Sequence, residues 1–357
     1  MARNTLAQID RAALAHNLER IRELAPGSRV MAVVKADAYG HRLDLCLPAL
    51  DGADLLAVAT IEEARAIRRL GCDTPVLLLE GILHDEDLPV VEELGLELTI
   101  HHESQLTMLE AFGRAPCQRV WLKIDTGMHR LGVPCDAAAA AHARLKALGG
   151  IEQVNLMTHF ASADDLSQTA TAEQIHRFDE TIKELDGERC LANSAAVLNF
   201  PDSRADWVRA GILLYGISPL TGKTGADLGL QPVMTLKSEL MAINQVKAGE
   251  NIGYGGRYRA ARDLTVGVAA IGYGDGYPRH LVDGTPVQIA GKNCALAGRV
   301  SMDMITIDLS NCPEAQLGDD VVLWGGDLAV EEIALHADTI PYELVCRITR
   351  RVRYRGD

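Results

Sequence analysis

From residue 29 onward, eight short apolar runs alternate with segments of helical composition, and this alternation constrains the fold more than any other feature of the chain. The runs are Val30–Val34, Leu55–Ala59, Val76–Leu79, Leu96–Ile100, Val120–Ile124, Val154–His159, Cys190–Asn193 and Val208–Leu214. Between them lie Ile61–Leu70, Glu86–Leu94, Glu103–Phe112, Asp136–Leu148 and Glu173–Leu185, which carry helical composition or period. Eight strand–helix units over about 200 residues are what a (β/α)8 barrel requires. An open doubly wound sheet is the other arrangement of such units, but no Gly-x-Gly-x-x-Gly stands at any strand-to-helix turn. A barrel is favoured.

After about residue 222 the pattern changes. Thr221–Gly225 reads as a loop, and from Pro232 short β-type runs are broken by glycine pairs. Val266–Ile271, Val287–Ala290, Leu296–Val300, Met304–Leu309 and Val321–Trp324 are the clearest strands, and Gly291-Lys292-Asn293 signals a hairpin. Glu331–His336 and Tyr342–Ile348 read as short helices. The expected fold is α/β, with an N-terminal (β/α)8 TIM-type barrel over residues 1–224 and a C-terminal, mostly β domain over residues 225–357.

The 35 basic and 49 acidic residues give a net charge of −14. A field of that sign repels phosphate backbones and anionic lipid, so neither nucleic acid nor a membrane surface is an expected partner. The cluster Arg347, Arg350, Arg351, Arg353 and Arg355 reads as a solvated tail pairing with the acidic surface. No stretch approaches the ~18 uninterrupted apolar residues of a membrane span. The N-terminus runs into a strand-like Leu6–Asp10 without the apolar segment of a secretion signal. Eight scattered cysteines, with no Cys-x-x-Cys and no histidine at zinc spacing, suit reduced thiols in a cytoplasmic protein and no metal site.

In a barrel, chemistry sits where the strands end. The first run ends in Lys35, followed by Ala-Asp-Ala-Tyr39-Gly-His41. A lysine at the mouth, partly desolvated, loses basicity and gains a useful amine, which suits a Schiff base; a lysine snorkelling from a strand end is the plainer alternative. The fifth run leads to Asp125 and Arg130, and the sixth to His159. The seventh ends Asn193-Ser194-Ala195, and the eighth holds Arg209 before Gly211 and Ile212. Loops after strands seven and eight are the customary phosphate seat of such barrels. A lysine on the first strand combined with that seat suggests a phosphorylated aldehyde cofactor, pyridoxal phosphate. In the second domain, Tyr254, Tyr273 and Tyr277 stand in glycine-rich turns, where packing on a sheet is the simplest role.

Taken together, these stretches resemble one family over nearly the whole chain, the bacterial alanine racemases. Ala32-Val-Val-Lys35-Ala-Asp-Ala-Tyr-Gly40 is similar to that family's cofactor-lysine signature. Asp125–Gly132, His159–Ser162, Asn193–Ala195, Leu213–Gly216, Gly253–Gly255 and Ser301–Met304 follow in family order. The resemblance implies a barrel paired with a β domain, pyridoxal 5'-phosphate as cofactor, and interconversion of L-alanine and D-alanine to supply peptidoglycan. It implies that Lys35 holds the cofactor, that Tyr39, Ser194, Gly211, Ile212 and Tyr342 hold its phosphate, and that Arg209 faces its ring nitrogen. Racemisation needs a proton taken from one face of Cα and one delivered to the other, and the resemblance assigns these tasks to Lys35 and Tyr254. His159 and Arg209 are then the neighbours that ease the deprotonation of Tyr254. Arg130 and the Met302 amide would orient the substrate carboxylate, and Lys123 stands where some members carry a carbamylated lysine. Tyr254, Tyr273, Met302 and Asp303 would reach the partner's cofactor, which implies a homodimer with shared sites.

Three positions depart from the family pattern. Arg42 replaces a usual glycine, Ala210 replaces a usual proline, and Arg351-Val-Arg-Tyr354 differs from the usual ending. If position 42 has positive φ, an arginine there costs on the order of 1 kcal/mol. A broad-specificity amino-acid racemase shares the fold, but Tyr273 and Tyr342 would narrow the pocket toward a small side chain. A pyridoxal-phosphate decarboxylase would bring a Gly-Gly-Gly loop and an acidic partner for the ring nitrogen, and neither is present. A non-catalytic pyridoxal-phosphate-binding protein would lack the β domain.

Overall fold

The computed structural model describes residues 4–357. The strands Arg29–Val33, Leu55–Val58, Val76–Leu78, Leu96–Ile100, Arg119–Asp125, Gln153–Met157, Arg189–Asn193 and Trp207–Ala210 pair in parallel, each with the next. The last returns to the first, with Trp207 opposite Arg29 and Ala210 opposite Ala32, so the barrel closes. Side chains alternate with the strand period of two. Met31 and Val33 point inward among Leu55, Ala57, Leu77, Trp121, Met157, Cys190 and Trp207, whereas Val30 and Ala32 pack outward under the helices. Burial on both faces explains why these strands read as unbroken apolar runs. Trp121 and Trp207 meet edge to face at 5.6 Å, and their indole N–H groups donate to Glu97 at 2.6 Å and Glu188 at 2.8 Å.

The eighth run stops being a strand at Ala210. Residues Ile212–Tyr215 form a 3-10 turn instead of continuing to Leu214 as strand, because Gly211 takes the backbone to φ −115 and ψ −94. That buried turn ends the barrel wall, and the Gly211 amide at its start donates to the Ser194 hydroxyl.

The second sheet is built on the long strand Met234–Val246, which pairs antiparallel with Leu264–Ala269, Asp320–Trp324 and Leu6–Ile9. Leu6–Ile9 also runs parallel to Arg353–Gly356, so the first and last strands of the described residues pair in this sheet. The arginine-rich C-terminus is therefore not a loose tail. Arg353 and Arg355 point to solvent while Tyr354 is half-buried, the alternation of an edge strand whose charges discourage pairing with other chains. Arg351 reaches Asp303 at 2.5 Å and Asp275 at 3.3 Å. The hairpin between Pro286–Ile289 and Lys292–Leu296 turns through Ala290 and Gly291, both with positive φ, one residue earlier than its sequence signal suggested. Among the described residues, no helix is long and apolar enough to cross a membrane.

Candidate active site

Lys35 leaves the first barrel strand into an unusual turn. Ala36, Asp37, Ala38 and Tyr39 have φ of 54, 54, 56 and 52, a left-handed helical turn made of L residues with side chains. Each such residue costs roughly 1–2 kcal/mol, so the surroundings must hold the turn in place. Ala38 N–H donates to Val34 O at 2.9 Å, and Gly40 N–H to Ala36 O at 2.8 Å. Ala36 N–H donates to Glu63 at 2.7 Å, and Leu43 N–H to Asp37 at 2.8 Å. The Tyr39 ring stacks on buried Tyr215 at 5.1 Å, His41 stacks on Tyr215 at 4.5 Å, and the Tyr215 hydroxyl donates to Val33 O at 3.0 Å. The turn closes at Gly40, with φ 77, where a Cβ would lie 2.1 Å from Val345 O. Only glycine fits there.

This turn aims Tyr39 at the eighth strand. A Cβ on Gly211 would stand 2.5 Å from the Tyr39 hydroxyl, and Gly211 N–H donates to the Ser194 hydroxyl at 3.0 Å. Asn193 caps the short helix that follows Ser194, accepting from Ala196 N–H at 3.0 Å. Burial pushes the Tyr39 hydroxyl up to about 12, so it remains a protonated donor. Tyr39, Ser194, Gly211 and Ile212 thus converge from the ends of strands one, seven and eight.

Arg209, buried, crosses beneath them. It donates to Thr158 O at 2.9 Å, to His159 Nδ1 at 2.9 Å and to Cys190 Sγ at 3.0 Å. An arginine can only donate, so His159 accepts at Nδ1 and carries its proton on Nε2. Burial, then the Arg209, Lys123 and Arg130 cations, hold His159 far below the usual imidazole range. Lys35 is also less basic than normal, chiefly through burial, with Glu80 opposing and Arg130 assisting. Lys123 is depressed to about 8 by burial, then by Arg209, Arg130 and Lys35. Cations crowded into one desolvated mouth favour neutral amines, the state a nucleophile or base needs.

Lys35, Tyr39, Arg130, His159, Ser194, Arg209, Gly211, Ile212 and Tyr342 all line one cavity of about 530 Å³. A larger cavity, about 690 Å³, opens at the opposite end around Gly95–Glu97 and Gln118–Arg119, where the strands begin. Barrel chemistry belongs to the strand C-termini, so the smaller one is the candidate site. Tyr254 and Met302 do not line it. They are 70% and 51% exposed on the second domain, and Tyr273 is 39% exposed nearby in sequence to neither.

Two supporting roles had escaped the sequence. Asp125 accepts from Gly127 N–H at 2.9 Å and His129 N–H at 3.1 Å, folding the loop so that Met128 and Arg130 face the cavity. Glu63 belongs to a capping box with Thr60, a legible signal, but its reach to Ala36 is a tertiary contact that no local pattern encodes.

Residues 9–219 match the family description "Alanine racemase, N-terminal domain", and residues 233–355 match "Alanine racemase, C-terminal domain". The chain is 49% identical over 347 residues to the alanine racemase of Shewanella sediminis and 50% identical over 347 residues to that of Nitrosococcus oceani, covering 97% of both chains in each case. Its fold superposes on the alanine racemase structure from Acinetobacter baumannii with a TM-score of 0.96 at 39% identity, covering 99% of this chain and 100% of that one. With the biosynthetic alanine racemase of Pseudomonas aeruginosa the TM-score is 0.95 at 42% identity, over 100% of both chains. With both domains matched and relatives about half identical over 97% of its length, the chain belongs to the alanine racemase family.

Proposed function

We propose that this chain interconverts L-alanine and D-alanine, with pyridoxal 5'-phosphate in the barrel-mouth cavity and one base from each of two chains. The observation that carries this is the meeting, on one cavity, of a desolvated Lys35 with the cradle of Tyr39, Ser194, Gly211 and Ile212. The cradle fits a phosphate: it offers a protonated phenol, a hydroxyl and backbone next to a glycine whose Cβ would collide with Tyr39. Lys35 would anchor the cofactor's aldehyde, and Tyr342 would close the seat. When bound, the cofactor supplies an electron-withdrawing ring that acidifies the substrate Cα proton.

The remaining chemistry belongs to the chain's own residues. Arg209 presents only N–H groups, so a ring nitrogen facing it stays an acceptor and the ring withdraws electrons only moderately. That restraint favours return of a proton over side reactions. Arg130 lines the same cavity and would pair with the substrate carboxylate. The Lys35 amine, made less basic than an ordinary lysine chiefly by burial, would take or give the proton on one face. Tyr254 does so on the other, and because it lies exposed and away from its own chain's cavity, it serves a second copy. The C-terminal domain thus completes a neighbour's site, with Met302 beside the substrate carboxylate, and the working unit is a homodimer. The product, D-alanine, serves peptidoglycan assembly, with the enzyme acting in the cytoplasm.

The test is proton NMR of L-alanine, L-serine and L-lysine, each incubated with the protein and pyridoxal phosphate in D₂O. Loss of the Cα proton confined largely to alanine, with D-alanine accumulating, is the expected result. Comparable exchange on lysine would replace it with a broad-specificity racemase, and no exchange on any of the three with cofactor bound would leave a binding protein.

A further inference from the structure

We propose that Arg42 is a positioning residue for the cofactor seat, clamping the left-handed Lys35–Tyr39 turn onto the C-terminal strand; the inference rests on the pyridoxal-phosphate reading above. Arg42 itself sits at φ 70 and ψ 110, a positive-φ conformation that glycine tolerates better than arginine does. Its side chain nevertheless makes several contacts around the turn. The guanidinium grips Asp44 through Nε at 3.1 Å and Nη2 at 3.3 Å, and Nε stands 3.6 Å from Asp37 Oδ2. The same group lies over the Tyr354 ring, 5.7 Å from its centroid. Tyr354 in turn donates its hydroxyl to Gly40 O at 3.0 Å, at the point where the left-handed turn closes. Asp37 lies inside that turn and is held again from the far side, accepting Leu43 N–H at 2.8 Å.

The contacts form a ring around the turn: Asp37 to Arg42, Arg42 to Tyr354, Tyr354 to Gly40. Its outer post is fixed, because Tyr354 belongs to Arg353–Gly356, which pairs with Leu6–Ile9 in the eight-stranded sheet. The inner element is the turn that carries Lys35 and aims Tyr39 at Gly211. Two opposing effects follow from one side chain. The ion pairs are exposed, so they add little to global stability, while the positive φ subtracts from it. What the clamp does instead is restrict how the turn moves, and so where the Tyr39 hydroxyl stands before the phosphate arrives.

The experiment uses the full chain stripped of cofactor and titrated with pyridoxal 5'-phosphate, following bound-cofactor absorbance alongside the thermal midpoint of the apoprotein. For Arg42→Gly the expected result is cofactor affinity weakened about three- to tenfold with a midpoint unchanged or raised, the split a released clamp demands. Arg42→Lys keeps the charge without the fork and should fall between Arg42→Gly and the native chain. Tyr354→Phe keeps the ring under Arg42 but loses the bond to Gly40, and should weaken affinity in the same direction. Native affinity in Arg42→Gly would overturn the clamp, as would affinity and midpoint falling together, which would mark an ordinary structural contact. A native chain that takes up no pyridoxal phosphate would overturn the cofactor reading and the clamp with it.

Discussion

At the scale of single residues, the chemistry depends on a few atoms that tolerate little change. Gly211→Ala would place a Cβ 2.5 Å from the Tyr39 hydroxyl, so it should weaken pyridoxal-phosphate binding at least tenfold, measured by titration of the apoprotein. Tyr254→Phe should cut racemisation by about 10²–10⁴-fold while leaving cofactor uptake intact; loss of uptake would instead make Tyr254 a binding residue. Lys123 carries a pH signature. As a free amine it titrates near 8 in the fold against 10.5 ordinarily, so between those values the unfolded chain binds more protons and stability rises with pH. Lys123→Met should therefore be more stable than the native chain at pH 7.5, by urea unfolding, with the gap shrinking by pH 9.5. Lys35, Arg130, His159 and Arg209 were legible as mouth residues because each lies within, at the end of or shortly after an apolar run read as a strand. Thr158 and Cys190, which accept from Arg209, and Tyr215, which stacks on Tyr39, were given no role of their own, since nothing local distinguishes a buried residue that supports the cavity lining from any other core residue.

At the scale of elements, the decisive piece is the left-handed turn Ala36–Tyr39. It stores strain beside Lys35, and contacts with Glu63 and Tyr215 and the close packing at Gly40 hold it. Ala36 is exposed at φ 54, so Ala36→Gly should relieve strain and raise unfolding free energy by about 0.5–1 kcal/mol after the entropy cost of glycine. Chemical denaturation would measure it; a loss of stability would mean that the turn is not strained as built. The strands were readable from apolar runs to within a few residues. The turn was not, because Ala-Asp-Ala-Tyr has no left-handed preference of its own and is driven there by tertiary contacts. The same reason explains Arg353–Gly356, whose composition suggested a solvated tail and whose pairing with Leu6–Ile9 makes it a strand.

At the scale of the whole molecule, the sheet domain matters for what it carries outward. Tyr254, Tyr273, Met302 and Met304 are all exposed there, an unusual concentration of large side chains for a surface facing only water. A site completed by a second copy accounts for them, and it predicts that mixing two inactive variants restores activity. Lys35→Ala and Tyr254→Phe chains, dissociated and reassociated together, form mixed dimers in which one site is doubly defective and the other has both native bases. Racemisation should return to about a quarter of the native level per chain, since half the dimers are mixed and each has one working site of two. The measurement is D-alanine formation by the mixture against each variant alone. Return of activity is the predicted result, and a mixture that forms mixed dimers yet remains inactive would show that Lys35 and Tyr254 do not meet across two chains.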